Sequence, residues 1–419
     1  IWTNLHGHNH PKINAAISGQ LKKVAHSSAL GLANEPASLL AEKLAHAANF
    51  KAKGRHQPLL KKVFFSDDGS TALEVALKLA YEFSRRARKL KNPKFLSLKG
   101  AYHGDTVGAV SLGHIDLFHK SYAGLLFKTE RAMSPYCYRC PFNRAKPERT
   151  DARDYRKCNW ECVSKTEKQF STQKKKGDPY AAFVIEPLMQ GAAGMIPQPA
   201  GWLNRVSEIA RFHGALLIAD EVMTGFGRIG SKKNGDCHWF ACQHENVQPD
   251  FLCLAKGLTG GYLPMAATLT TRNVFDAFLG RYDEFKSFFH GHSYTGNQLG
   301  AAAALANLEL LRKSGPARQR LERDLRRELQ SLWQLPNVGD IRQVGLIAGI
   351  ELVKNWRTRE PFDLRARAGI RVCEAMARRG VLTRPIGNVI VLMPPYCTTS
   401  AQVKTLVSVM RESIEVALR

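Results

Sequence analysis

The stretch DFLCLAKGLTGGYLP, at residues 250–264, reads as a short apolar strand that ends on Lys256 and continues into a glycine-rich turn. A lysine at the end of a buried strand is costly to desolvate unless its amine is neutral or bonded to another group. A desolvated lysine is also a nucleophile that can form a Schiff base. The alternative is a packed aliphatic stem whose amine reaches water. This stretch alone is compatible with both interpretations.

Apolar strand patterns alternate with amphipathic helical patterns on the N-terminal side of this stretch. AAFVIEPL (181–188) and ALLIADEV (215–222) read as strands, and GWLNRVSEIARFHG between them reads as a helix. Such alternation is typical of a mostly parallel sheet that is covered by helices on both faces. The sequence therefore predicts an α/β fold around the strand that carries Lys256.

The pattern changes after about Ala301. Long helical patterns, broken at Gly315 and Pro316, precede two strand patterns, VGLIAGIELV and NVIVLMPP, and a last helix. This order indicates a second, smaller α+β domain. The predicted organisation is a short N-terminal segment (1–28), a large domain (29–305) and a small C-terminal domain (306–419).

Three further motifs place polar residues at predicted strand ends. In SDDGSTALEVALKLA, Gly69 and Ser70 precede a helix expected to begin at about Thr71, where backbone N–H groups can bind a phosphate. Ordinary N-capping explains the same residues. Asp220 ends the strand LLIAD and needs a cationic partner, which is either a protonated pyridine nitrogen or an arginine such as Arg228. The remaining alternative is that Asp220 caps the following turn.

The third motif, KGAYHGDT (99–106), places Tyr102 and His103 in a turn after the strand KFLSL. An aromatic residue there can stack on a flat ring, although it is also a common packing residue. In an open α/β sheet, such strand exits form the ligand crevice. A phosphate anchor, a stacking ring, an acid and a lysine together are what pyridoxal phosphate (PLP) requires.

Several of these motifs closely resemble those of the class III aminotransferases of fold type I. They are IADEVMTGFGRIG, PDFLCLAKGLTGG, GAYHGDT and FFHGHSYTGNQLGAAAA. HGHNHPKINAAI, KKVFFSDDGSTALEVALK, SPYCYRCPF and RPIGNVIVLMPPY look like the branch of that class that acts in biotin synthesis. The resemblance covers essentially the whole chain. It implies a large domain with a mostly parallel central sheet, a smaller α+β C-terminal domain, and PLP as the cofactor.

The resemblance also implies roles for individual residues. Lys256 would hold PLP covalently and move protons, and Asp220 would keep the pyridine nitrogen protonated. Tyr102 would lie beside the ring and touch the substrate. The resemblance places Gly69, Ser70 and Glu186 around the cofactor. It implies that Gly291, His292 and Ser293 reach the cofactor of a dimer partner. Around the substrate it places Trp2, Arg228 and Arg384, with Arg384 binding the substrate carboxylate.

The expected reaction is transfer of an amino group from S-adenosylmethionine or lysine to a keto acid of biotin synthesis by a homodimer. The alternatives are another class III enzyme acting on ω-amines or diamines with pyruvate, and a non-catalytic binding protein with this fold. The chain departs from the family at His292 and Ser293, where proline and threonine are usual, and at Ile1, where a tryptophan is usual. The family's N-terminal segment with another substrate-binding tyrosine is not part of this sequence.

The composition of the 419-residue chain sets further limits. It has 61 Lys and Arg against 36 Asp and Glu, for a net charge of +25, but its basic runs lack interleaved aromatic residues, so no nucleic-acid partner is expected. No apolar run is long enough for a membrane helix and no signal-peptide pattern opens the chain, which favours a cytoplasmic location. The chain begins at Ile1 inside an apparently ordered segment, so we expect residues upstream.

The nine cysteines are an odd number and most stand singly in apolar runs, as is typical of a reducing compartment. The spacing of Cys137 and Cys140, followed by Cys158 and Cys162, resembles a four-cysteine zinc site. A redox pair or free thiols on a surface excursion explain the same spacing. We predict no metal and retain the zinc site as the alternative.

Overall fold

The computed structural model describes residues 1–49, 59–230 and 238–418. A mostly parallel sheet of seven strands, counted within these ranges, forms the centre of the large domain. The strands up to the end of this domain, including a small separate pair (β5 and β6), are β1 (Leu60–Ser66), β2 (Lys94–Leu98), β3 (Glu130–Ala132), β4 (Tyr180–Ile185), β5 (Met189–Gln190), β6 (Ile196–Pro197), β7 (Leu216–Asp220), β8 (Phe251–Leu254) and β9 (Ala266–Thr271). This confirms the predicted fold class.

The order of strands in the large sheet is β1-β9-β8-β7-β4-β2-β3. Only β9, within the described part of the sheet, runs against its neighbours: it pairs antiparallel with both β1 and β8, and the other pairs are parallel. Because β1 and β8 both oppose β9, they point the same way. The carboxyl ends of β1, β8, β7, β4 and β2 therefore all lie at one edge of the sheet.

Helices cover both faces of this sheet and continue into the small domain. In the described residues they are α1 (Pro11–Leu21), α2 (Glu35–Ala48), α3 (Gly69–Arg88), α4 (Val107–Ser111), α5 (Asp116–His119), α6 (Glu161–Lys175), α7 (Trp202–Phe212), α8 (Ala241–His244), α9 (Arg272–Asp276), α10 (Gln298–Lys313), α11 (Gly315–Leu329), α12 (Ala368–Ala377) and α13 (Ser400–Ala417). Two apolar clusters fill the space between sheet and helices. Along β7, Leu216 and Ile218 belong to the cluster with α3, whereas Leu217 and Ala219 belong to the other, as side-chain alternation requires.

The small domain contains a second, antiparallel sheet, as the sequence predicts. Its strands are β10 (Val338–Val344), β11 (Ile347–Asn355), β12 (Glu360–Pro361), β13 (Pro385–Ile386) and β14 (Val389–Leu392). The pattern VGLIAGIELV is not one strand, because Gly345 adopts a φ of +58° and turns the chain between β10 and β11. The break at Gly315 is confirmed, since α10 ends at Lys313 and α11 begins at Gly315.

Two boundaries differ from the predicted ones. The helix after the SDDG turn begins at Gly69 rather than at about Thr71, because Asp68 is its N-cap and accepts a hydrogen bond from the Thr71 N–H. The predicted boundary between residues 305 and 306 falls inside α10, which is continuous there. The division into domains at these positions stays a prediction.

Candidate active site

The shared edge of the large sheet brings the polar residues of the separate motifs together. β8 leads into Lys256, β7 ends on Asp220, β4 leads into Glu186 and β1 leads into the start of α3. The loop after β2, which carries Tyr102, lies beyond β4 in the strand order. Side chains from distant parts of the sequence therefore face one crevice, as expected at the carboxyl edge of an open α/β sheet.

Lys256 lies partly buried in a strained backbone position. Its φ is +44°, an unusual value for a non-glycine residue and one that is found preferentially at functional sites. Burial lowers the pKa of its amine, while the nearby charge of Asp220 opposes that shift. The Trp2 ring centre is 5.1 Å from the Nζ atom. The amine is thus desolvated and covered, which favours the nucleophile over a lysine that extends into water.

Asp220 is paired with His103. The Nδ1 atom of His103 donates to Asp220 Oδ2 at 2.7 Å, and the Val222 N–H donates to Oδ1 at 3.1 Å. The alternative pairing with Arg228 is wrong: the Arg228 guanidinium instead donates to the carbonyl oxygens of Pro394 and Asn4. Burial disfavours a charged imidazole, but the hydrogen bond and charge of Asp220 raise the pKa of His103.

Tyr102 has two polar contacts that fix its position. Its N–H donates to Glu186 Oε1 at 3.2 Å, and its hydroxyl donates to Asp105 Oδ2 at 2.9 Å. Burial raises the pKa of Tyr102 to about 12, and the hydrogen bond to Asp105 acts in the same direction. The phenol therefore stays protonated near neutral pH, with its one hydrogen donated to Asp105 and its oxygen free to accept a hydrogen bond.

Glu186 is a buried carboxyl that accepts hydrogen bonds from two backbone N–H groups. The donors are Tyr102, at 3.2 Å, and Gly191, at 2.7 Å. Burial raises the pKa of Glu186 from 4.5 to about 7, although the charge of His103 lowers it. Glu186 therefore links the exit of β4 to the loop after β2 and titrates close to neutral pH.

The start of α3 forms the other side of the crevice. Its Ser70 hydroxyl oxygen accepts the Asp105 N–H at 3.0 Å, which leaves the hydroxyl hydrogen available for a further acceptor. A Cβ atom on Gly69 would lie 2.8 Å from the Val222 side chain, so the helix start packs directly on the turn that follows Asp220. Asp68 caps this helix, but N-capping and anion binding use different N–H groups and are compatible.

The residues predicted to contact the substrate or a partner subunit occupy different environments. Gly291, His292 and Ser293 are exposed in the segment before α10, and His292 Nε2 is 3.5 Å from Asp67 Oδ2. Arg384 is exposed directly before β13, and its guanidinium has no hydrogen-bond or ion-pair partner within residues 1–49, 59–230 and 238–418. Their predicted roles remain proposals.

Arg228 is almost completely buried, at 2% exposure, and its charge acts on the amine of Lys256. Its Nε atom has no hydrogen-bond partner among the described residues, whereas its two terminal nitrogens donate to backbone carbonyls. It lies near Lys256 without presenting its planar fork to the crevice.

The four clustered cysteines line one small cavity next to Arg156 and Trp160. Their thiols are free, and Arg156 Nη1 contacts Cys158 Sγ at 3.2 Å. Within the described ranges, no group of three or more His, Cys, Asp or Glu side chains is placed to hold a metal ion. The spacing thus reflects a shared pocket, and the zinc alternative gains no support from the side-chain arrangement.

The chemistry of the residues that line the crevice suits PLP. The pKa of the Lys256 amine is lowered, and the nearby Asp220 carboxylate has lone pairs that its two hydrogen bonds do not use. The start of α3, with the Ser70 hydroxyl, lies at the same edge of the sheet. These residues fit the aldehyde, the ring nitrogen and the phosphate of that cofactor. Fold and site together define a PLP-dependent enzyme of fold type I.

Comparisons with known proteins identify the family. The family model "Aminotransferase class-III" matches residues 1–414, and the chain belongs to this family of PLP-dependent aminotransferases. The adenosylmethionine-8-amino-7-oxononanoate aminotransferase of Geobacter sulfurreducens is 46% identical over 417 residues, which is 99% of this chain and 86% of that relative.

Solved structures agree with this membership. The crystal structure of adenosylmethionine-8-amino-7-oxononanoate aminotransferase from Methanocaldococcus jannaschii gives a TM-score of 0.86 at 40% identity, covering 99% of this chain and 87% of that one. An amine transaminase from an uncultivated Pseudomonas species, in its PLP-bound form, gives 0.87 at 33% identity, covering 100% and 89%. Among the described helices, none combines the length and the apolar character needed to cross a membrane.

Two polar residues of the crevice were not assigned from the sequence. The sequence shows His103 only as a neighbour of Tyr102, and its contact with Asp220 spans 117 residues of sequence. The sequence assigns no role to Asp105, which contacts both the Tyr102 hydroxyl and the Ser70 hydroxyl. The feature of the sequence that could have indicated a functional role for these two residues is their position in a glycine-containing turn directly after a strand.

Proposed function

We propose that this enzyme transfers an amino group from S-adenosylmethionine, or from lysine, to 8-amino-7-oxononanoate, giving 7,8-diaminononanoate in biotin biosynthesis. The observation that carries this proposal is the near-complete coverage by relatives that bear this activity in their names, from 46% identity in Geobacter sulfurreducens to 42% in Methanocaldococcus jannaschii. The crevice supplies the residues that such a transfer needs.

When bound, PLP supplies an electron-withdrawing ring that stabilises negative charge on the carbon next to the transferred nitrogen. Lys256 would hold the cofactor covalently, and its amine, whose pKa burial lowers, would serve as the acid and base that moves the proton. Asp220 would keep the ring nitrogen protonated, and the start of α3 with Ser70 would hold the phosphate. Glu186 fixes the loop after β2.

Substrate binding is assigned to the walls of the crevice. The Trp2 ring covers the lysine amine and excludes water from it. The Tyr102 phenol stays protonated, and because its hydrogen is donated to Asp105, its oxygen would accept a hydrogen bond from the substrate. Arg384 presents a guanidinium that has no hydrogen-bond or ion-pair partner among the described residues, which suits a carboxylate. Arg228 contributes positive charge rather than a planar fork, because its terminal nitrogens contact backbone carbonyls.

A homodimer is the proposed assembly. The segment before α10 exposes large aromatic side chains, including Phe289 at 71% and Tyr294 at 60% exposure. Such exposure of apolar surface is typical of an interface. Gly291, His292 and Ser293 lie between these two aromatics and would reach the partner's cofactor phosphate and substrate. We also propose a cytoplasmic location, in keeping with the free thiols of the described cysteines.

A second candidate activity is transfer from ω-amines or diamines to pyruvate. The similarity to an amine transaminase structure, with a TM-score of 0.87, favours keeping it. The two activities differ in the acceptor. The carboxylate of 8-amino-7-oxononanoate is far from the carbonyl that receives the amino group, so Arg384 would bind it at a distance from that carbonyl. The carboxylate of pyruvate is next to its carbonyl and needs no such distant partner.

The deciding experiment is a half-reaction screen with the PLP-loaded protein. S-adenosylmethionine, lysine and simple ω-amines are each added, and loss of the visible absorbance of the bound cofactor is followed. The pyridoxamine form is then mixed with 8-amino-7-oxononanoate or pyruvate, and return of the absorbance is measured. Rapid return with pyruvate and none with 8-amino-7-oxononanoate would refute the proposal and support the second activity.

A matched pair of variants sharpens this test. Arg384→Met removes the guanidinium from the proposed anchor, and Arg378→Met removes one from the C-terminus of α12. The first should raise KM for 8-amino-7-oxononanoate by tenfold or more, corresponding to about 1.4 kcal/mol, with little effect on the donor half-reaction. The second should change neither.

A further inference from the structure

His103 is buried beside the proposed cofactor crevice and contacts Asp220. Its side chain is inaccessible to solvent, and its Nδ1 atom lies 2.7 Å from Asp220 Oδ2. Its other nitrogen, Nε2, has no hydrogen-bond partner in the part of the chain that the structure describes. Because a carboxylate only accepts hydrogen bonds, the Nδ1 atom carries the hydrogen in this contact. Asp220 thus sets the tautomer of His103. The hydrogen bond to Asp220 offsets part of the free-energy cost of burying this polar ring.

The carboxylate of Asp220 is held at both oxygens. His103 occupies Oδ2, and the Val222 N–H occupies Oδ1 at 3.1 Å. A carboxylate offers about four lone-pair positions, so two contacts leave positions free for a third donor. The two contacts restrict rotation of the carboxylate plane, and therefore the direction in which the remaining lone pairs point.

His103 is itself held firmly. The next residue, Gly104, has a φ of +121°, and a Cβ atom there would lie 2.8 Å from Ser70 Cα. Tyr102, on the other side, donates its N–H to Glu186. The backbone that carries the imidazole is therefore held on both sides, and the contact with Nδ1 restrains the Asp220 carboxylate relative to this backbone.

We propose that His103 is a positioning residue for the cofactor: its Nδ1–H holds the Asp220 carboxylate in the orientation in which that carboxylate keeps the pyridine nitrogen of PLP protonated. This deepens the proposed function, because it rests on the assignment of Asp220 to the ring nitrogen. His103 contacts neither PLP nor the substrate in this assignment. Its effect on the cofactor passes through Asp220.

The test compares His103→Phe with His103→Asn. Phenylalanine keeps a flat ring and removes the donor, whereas the asparagine amide places an N–H group close to the position of Nδ1. His213→Phe is the control, because it makes the same substitution at a histidine that stacks on the Phe170 ring and lies at the end of α7. His103→Ala removes the donor without adding volume and answers the same question if the phenylalanine ring is not accommodated.

Each purified protein is reconstituted with PLP labelled with ¹⁵N in the ring, and the ¹⁵N chemical shift is measured together with the Kd of PLP. The wild-type protein, His213→Phe and His103→Asn should show a protonated ring nitrogen. His103→Phe should shift towards the unprotonated value and bind PLP at least tenfold more weakly, with circular dichroism unchanged. If His103 only stabilised the fold, His103→Phe would not change the ¹⁵N shift of the ring nitrogen, and His103→Asn would not differ from His103→Phe.

Two outcomes separate the possible failures. A wild-type shift and Kd in both His103→Phe and His103→Ala would overturn the positioning role while leaving the proposed function intact. An unprotonated ring nitrogen in the wild-type protein would instead overturn the role proposed for Asp220, and the positioning role with it.

Discussion

Gly104 offers a direct test of how the site is assembled, because it lies where the loop after β2 meets the start of α3. Its φ of +121° is poorly accessible to other residues. A Cβ atom at this position would lie 2.0 Å from Ser70 Oγ and 2.8 Å from Ser70 Cα. The hydroxyl could rotate away, but the backbone atom could not. Gly104→Ala must therefore separate the loop from the helix that is proposed to bind the cofactor phosphate.

The size of the effect follows from two contributions. A non-glycine residue in a sparsely populated backbone region costs about 1–3 kcal/mol, and overpacking costs about 1–3 kcal/mol more. We expect the free energy of unfolding to fall by about 2–6 kcal/mol and the affinity for PLP to fall as well. Gly177→Ala is the control: its φ is +73°, and no atom in the described part of the chain lies within 4 Å of the added Cβ, so its cost should be about 1–2 kcal/mol.

The measurement is urea unfolding of both variants without cofactor, followed by titration with PLP. Gly104→Ala should unfold at a lower urea concentration than Gly177→Ala and should bind PLP more weakly, whereas Gly177→Ala should retain wild-type affinity. Equal stabilities and equal affinities in the two variants would show that the loop and the helix start do not depend on each other, and the account of the site given above would be wrong.

Other substitutions test the remaining groups of the site. Lys256→Ala should abolish turnover and the visible absorbance of lysine-bound PLP, and an unchanged spectrum would refute the assignment of the nucleophile. Asp220→Asn should leave the protein folded, because His103 can still donate to the amide oxygen, but nearly inactive in stopped-flow half-reactions; near-normal rates would contradict its role at the ring nitrogen. The pKa of Glu186 is raised from 4.5 to about 7, so the folded protein keeps a proton that the unfolded chain releases in this window, and stability falls as pH rises through it. Glu186→Gln should flatten that decline by up to about 3 kcal/mol in urea unfolding measured from about pH 5 to 8, and an identical slope would speak against it.

The arrangement of the strand ends could be predicted from the sequence because it depends on local patterns. An apolar run that ends on Lys256 or Asp220 shows where a strand stops, and parallel strands place their ends at one edge. The pairing of His103 with Asp220 could not be predicted in the same way. β4 separates the strands that precede these residues, and only the assembled sheet shows that the loop after β2 crosses its exit.

Competing short-range signals explain the other differences. Only Val344 of VGLIAGIELV belongs to β10, and the apolar run continues through the turn at Gly345 and Leu346 into β11. The pattern therefore does not show where the chain turns. Asp68 and Ser70 are both good N-cap residues, and the helix begins after the first because Asp68 and Thr71 satisfy each other's backbone groups. The spacing of the four cysteines indicates proximity but not the direction of their thiols, which decides whether a metal can bind.

The loop at residues 102–105 explains why the site can exist before any ligand arrives. Successive residues contact Glu186 after β4, Asp220 at the end of β7 and Ser70 at the start of α3. Each contact joins this loop to a different strand exit, so the protein itself fixes the relative positions of the groups proposed to contact the ring, its nitrogen and the phosphate. A ligand that enters such a site orders few side chains, and less of its binding free energy is lost to that ordering. For this reason we expect substitutions that displace the loop to weaken cofactor binding.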